Sequence, residues 1–95
     1  MVVNGQQATA TRDKINEILN SDQWTEGEQF IVKWQFNHNL RLLGHFKCAL
    51  IEAIALADEK NLDRLALGFP TEVSGFRAWA FGDLARRLRA EVLDI

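Results

Sequence analysis

The chain has one cysteine, one proline and no tyrosine, and none of its apolar runs approaches the ~18–20 residues of a membrane span. Cys48 has no partner for an intrachain disulfide, and a lone thiol in the apolar setting of Phe46, Ala49 and Leu50 fits a reducing compartment. The first residues, Met1-Val2-Val3-Asn4-Gly5-Gln6-Gln7, lack the basic region and apolar run of a secretory signal, so the expected location is the cytoplasm. With six glycines, the sequence is neither collagen-like nor low-complexity. There is no excess of positive charge: 11 Lys and Arg stand against 13 Asp and Glu, a formal net charge of −2. That balance argues against a surface that wraps nucleic acid, because such binding rests on neutralising phosphates. Walker, GxGxxG, HExxH and GxSxG motifs are all missing.

What is present is 95 residues with 47% hydrophobic and 25% charged side chains, which describes one globular domain with room for a single core. Residues 1–10 are small and polar and are expected to form a flexible N-terminal arm ahead of a single helical domain at 11–95. Thr11 is positioned to cap a helix over Arg12–Asn20, whose Ile15, Ile18 and Leu19 fall at helical spacing. Thr25-Glu26-Gly27-Glu28 has the form of a capping box.

Beyond it two periods compete. Phe30, Val32, Trp34 and Phe36 alternate as in a strand over 29–36, yet Val32, Phe36, Leu43, Leu50 and Ile54 share a helical face joined by Leu40, Phe46 and Ala57. The helical period runs further, so a long helix over 28–57 is preferred, with Gly44 as the place for a kink and a short strand at 29–36 as the alternative. Asp58 or Asn61 then caps a short helix over Leu62–Leu67 that Gly68 ends in the left-handed conformation. Thr71 caps a helix ending at Gly82, and Asp83 caps the last one. In that last helix Asp83, Arg87 and Glu91 are spaced for local ion pairs. The fold class is all-α, a compact domain of about five helices.

On a continuous helix, Trp34, His38, Arg41, His45, Cys48 and Glu52 project opposite the apolar face. His45, Cys48 and Glu52 share a side, but zinc needs three or four converging ligands and no second Cys or third His completes a set. A Cys48–His45 nucleophile pair lacks an adjoining glycine-rich turn for an oxyanion pocket. No catalytic residue, metal or cofactor is therefore assigned, and the chain is read as a non-enzyme. Trp24, Trp34, Trp79, Phe30, Phe36 and Phe81 compete for one small core, which leaves large apolar surface outside. Exposed Trp beside Arg has the composition of a protein contact, and the expected contact surface is Trp34, His38, Arg41 and His45, extended by Trp79.

The alternative is a nucleic-acid-binding protein using Arg77, Arg86, Arg87 and Arg89. A helix-turn-helix over 62–81 is excluded by its chemistry, since the second helix carries apolar surface where base-reading side chains belong. The terminal stripe Leu84, Leu88, Val92 and Ile95 lacks an assigned partner and offers a homodimer interface.

Leu43-Gly44-His45-Phe46, Ala49-Leu50, Glu52-Ala53-Ile54, Ala57-Asp58, Asn61, Arg64-Leu65, Leu67-Gly68-Phe69-Pro70 and Val73 together resemble small uncharacterised proteins of phages and other mobile elements. Those proteins carry a pattern like LGxFxxALxEAIxxADxxNxxxLxxGFPxEV, and the resemblance covers roughly residues 34–80. It implies an accessory protein that binds a host or phage protein and inhibits or adapts it, defence systems such as CRISPR-Cas included. It transfers no catalytic residue.

Overall fold

Thr25 begins the best-defined helix start in the molecule. Its hydroxyl accepts from the Glu28 amide at 3.1 Å while the Glu28 carboxylate accepts from the Thr25 amide at 2.8 Å, the reciprocal pair expected of a capping box. The computed structural model describes residues 5–93, and among them every regular element is helical. The elements are α1 (Gly5–Leu19), α2 (Glu26–Gln35), the single-turn α3 (Asn37–Leu40), α4 (His45–Leu56), α5 (Glu59–Gly68), α6 (Pro70–Phe81) and α7 (Leu84–Leu93). Residues 1–4 of the expected arm lie outside the described residues, and the helix expected from Arg12 begins at Gly5.

The segment 29–36 is helix rather than strand. Gly27, Phe30 and Ile31 are buried at i, i+3 and i+4, and Val32 joins them; a strand would have sent Ile31 to the opposite face from Phe30 and Val32. The single helix expected over 28–57 does not form. α2 ends at Gln35, α3 is closed by Arg41 in the left-handed conformation (φ 52°, ψ 54°), and α4 starts afresh after Gly44. Asn37 holds this break: its side-chain oxygen accepts from the Leu43 amide at 2.7 Å, and its amide nitrogen lies 3.3 Å from the Cys48 sulfur. An asparagine bonding nearby backbone offers the chain an alternative to helix, and here that alternative wins.

Asp58 caps α5 by accepting from the Asn61 amide at 2.8 Å. Gly68 closes α5 without a left-handed turn, and α6 starts at Pro70 rather than after a Thr71 cap, with Pro in the first turn where its missing N–H is no loss.

α2 and α6 form the most intimate pair. Gly27 and Gly75 are both buried at their crossing, and a methyl group on Gly75 would lie 2.6 Å from the Gly27 carbonyl carbon and closer still to its oxygen. The remaining helices gather around this pair: α4, α5 and α7 against α6, and α1 against α2 and α7. Ile15, Ile31, Ile51, Ile54, Val73 and Leu84 are almost fully enclosed at the centre.

Leu84, Leu88 and Val92 are part of this core, so the terminal stripe is covered from within the molecule and is no free dimer face; Ile95 lies outside the described residues. Arg87 does not pair along its own helix. It reaches Glu28 of α2, with its guanidinium carbon 4.7 Å from the centre of the buried Trp24 ring, while Glu91 lies 3.8 Å from Lys14 of α1.

Candidate functional site

α4 is apolar around most of its circumference. One side, carrying Leu50, Ile51 and Ile54, enters the core. Phe46, Ala49, Ala53 and Leu56 follow one another at i, i+3, i+7 and i+10, and therefore share a different side. All four are exposed, Phe46 to 63% and Leu56 to 86%. The Phe46 ring leans on Phe69 with centroids 5.9 Å apart. At the opposite end the stripe borders an open groove between α4 and α5, lined by Ala53, Leu56, Ala57, Asn61, Arg64 and Leu65.

Phe46 and Ala57 were expected within the buried face, but the core covers the arc of α4 that carries Leu50, Ile51 and Ile54 and leaves Phe46 facing outward at its edge, while Ala57 is half-buried. A helix apolar on nearly all sides is either enclosed or has a partner, and that pattern was the available signal for this face.

The residues expected to form one contact surface are not brought together as a continuous helix would have brought them. Trp34 lies on α2 and Trp79 on α6, half-buried and packed edge to face at 6.3 Å with 71° between the rings. Arg41 and His45 are exposed at the break and at the first residue of α4. His38 lies in α3, and its side chain is outside those described. His45, Cys48 and Glu52 sit on α4, but among the described residues no three His, Cys, Asp or Glu side chains converge as a metal-binding group. Cys48 is half-buried and contacts Asn37.

The arginines of the alternative reading divide. Arg77 bonds Asp63 at 2.7 Å and Glu59 at 3.0 Å, and the Asp63 bond chiefly raises its already high pKa. Arg87 is engaged with Glu28 and Trp24. Arg86 is exposed, with Asp83 at 3.9 Å, and Arg89 is exposed beside a groove that includes Phe36 and Trp79.

Two half-buried carboxylates, Glu28 and Glu72, are held in ion pairs between helices. Burial pushes the Glu28 carboxyl up, but the Thr25 amide and Arg87 together outweigh it and leave it below its ordinary 4.5. The Lys47 ammonium, 2.7 Å away, lowers Glu72 against a smaller opposing effect of burial. These are fully partnered ion pairs that tie α7 to α2 and α4 to α6. Among the described residues no helix is long and apolar enough to cross a membrane. Comparison of the chain with known protein families, curated proteins and solved structures found no match.

Proposed function

We propose that this chain is a non-enzymatic helical protein-binding module that docks its partner on the exposed apolar face of α4. The supporting observation is the stripe Phe46, Ala49, Ala53 and Leu56, held outward by a helix whose other side is anchored in the core through Leu50, Ile51 and Ile54. Covering a side chain such as Leu56 or Phe46 is worth about 1.5–3 kcal/mol each. Because the stripe lies on a regular helix, little ordering cost opposes that gain. Arg41 and His45, drawn from the surface expected on sequence grounds, stand near its N-terminal end as a polar rim.

The resemblance to phage and mobile-element proteins extends the reading to an accessory role, in which a host or element-encoded protein is inhibited or adapted by being bound. The competing nucleic-acid reading is weakened because Arg77 and Arg87 are already paired with carboxylates of the same chain.

Affinity capture with the tagged chain, with and without nuclease, tests the proposal when wild type and Leu56→Glu are run side by side. The captured protein is then purified and titrated against both at rising salt. Capture that survives nuclease, is lost in Leu56→Glu and depends weakly on salt is the expected result. Capture that vanishes with nuclease, or a binding constant falling steeply with salt and indifferent to Leu56, overturns the proposal.

A further inference from the structure

We infer that the partner of this face is a second copy of the chain, the two α4 helices running antiparallel about a two-fold axis between Ala49 and Ala53. The inference rests on the docking role proposed for α4 and adds the identity of the occupant.

Three observations carry it. The first is the stripe's own symmetry. Phe46, Ala49, Ala53 and Leu56 are separated by three, four and three positions, and run large, small, small, large. Spacing and size are nearly the same in either direction. In a two-fold interface residue i meets j of the other copy while j meets i. Antiparallel pairing thus sets Phe46 against Leu56 of the second copy at both ends and Ala49 against Ala53 twice at the middle. The central alanines let the two axes approach toward the short end of the ~8–10 Å range for packed helices.

The second is the placement of knob and hole. Phe46 protrudes at one end of the stripe, and the groove lined by Ala53, Leu56, Ala57 and Leu65, with Asn61 and Arg64 at its polar side, opens at the other. Phe46 and Leu56 are about 15 Å apart along the helix at 1.5 Å per residue. The two-fold operation carries each Phe46 to the groove of the other copy, closing both holes at once.

The third is charge. Exposed Arg41 stands just before α4 and exposed Asp58 just after it, while Glu59 beyond is already paired with Arg77 and is followed by exposed Lys60. An antiparallel pair sets Arg41 of each copy toward the Asp58 end of the other and aligns the helix dipoles favourably, whereas a parallel pair would oppose like with like.

Light scattering on the full chain across a concentration series reaching the millimolar range reads the result directly. The mass is expected to climb from 10.8 kDa toward twice that value. Phe46→Ala and Leu56→Glu, both at exposed positions, should each raise the dissociation constant at least tenfold with unchanged helicity. Cross-linking supplies a readout independent of those variants. In a Cys48→Ser background, a mixture of Ala49→Cys and Ala53→Cys chains should form more interchain disulfide on oxidation than either chain alone.

A wild type that stays at 10.8 kDa throughout overturns the inference. So does a dimer indifferent to both substitutions, or one cross-linked best by a single-cysteine chain with itself. A monomer that still captures a different protein through Leu56 would overturn the second copy while leaving the docking role of α4 standing.

Discussion

Adding one methyl group at Gly75 should damage this fold more than most surface substitutions, although it turns a poor helix former into the best one. The new carbon would sit 2.6 Å from the Gly27 carbonyl carbon, where ordinary contacts begin near 3.4 Å. Both neighbours are backbone, so no side chain can swing aside. Relief requires α2 and α6 to part by on the order of 1 Å, and a gap of that size forfeits a quarter to half of each dispersion contact along the seam. Overpacking of this kind costs about 1–3 kcal/mol or more, and the helix-propensity gain of Ala over Gly returns only about 1 kcal/mol. The net expectation is a loss of about 1–2 kcal/mol, or roughly 4–16 °C in Tm for a domain near 100 residues.

Urea titration and thermal unfolding followed by circular dichroism measure it. Gly68→Ala is the control, since a methyl group there meets nothing within 4 Å; it should be neutral or slightly stabilising. Equal or higher stability of Gly75→Ala would refute the close crossing of α2 and α6.

Three further outcomes follow from local chemistry. Glu28 and Glu72 both titrate lower in the folded chain than unfolded, so their contribution is complete above the ordinary value of 4.5 and is lost as pH falls through the folded values. Stability measured by urea titration should fall on acidification below that point, and a midpoint flat from neutrality through the acid range would contradict it. Arg87→Ala, which strips the partner from a largely covered Glu28 and the cation from Trp24, should cost about 1–2 kcal/mol, reduced from buried-pair values by the exposure of the arginine. A double-mutant cycle with Glu28→Gln checks that coupling. Arg41→Gly should raise the unfolding free energy measured by urea titration by up to about 1 kcal/mol, because the left-handed conformation strains any residue with a Cβ.

The helix starts at Thr25 and Asp58 were legible because a cap is local chemistry, settled by residues three apart. The break at 41–44 was not. A helical period ran across it, and the residue that turns left-handed is an arginine rather than a glycine. Pattern alone placed Phe46 in the core, because periodicity says which residues are apolar together but not which apolar arc another helix will cover. Arg87 followed the same logic in reverse: its neighbours Asp83 and Glu91 offered local pairs, and a partner far off in sequence, Glu28, won through the Trp24 face beside it. The contact between Gly27 and Gly75 had no local signature at all. Of the candidate site, the surplus of apolar surface near a helix carrying His45 was legible, whereas the packing of Trp34 on Trp79 across two helices was not.

The central claim is that binding resides in the apolar face of α4. It is tested most directly by measuring affinity for the partner, second copy or captured protein, with Leu56→Glu beside the double variant Arg86→Glu and Arg89→Glu. Leu56→Glu is expected to lose at least tenfold, ~1.4 kcal/mol, while the arginine variant binds as wild type. Full affinity in Leu56→Glu together with loss in the arginine variant would contradict it.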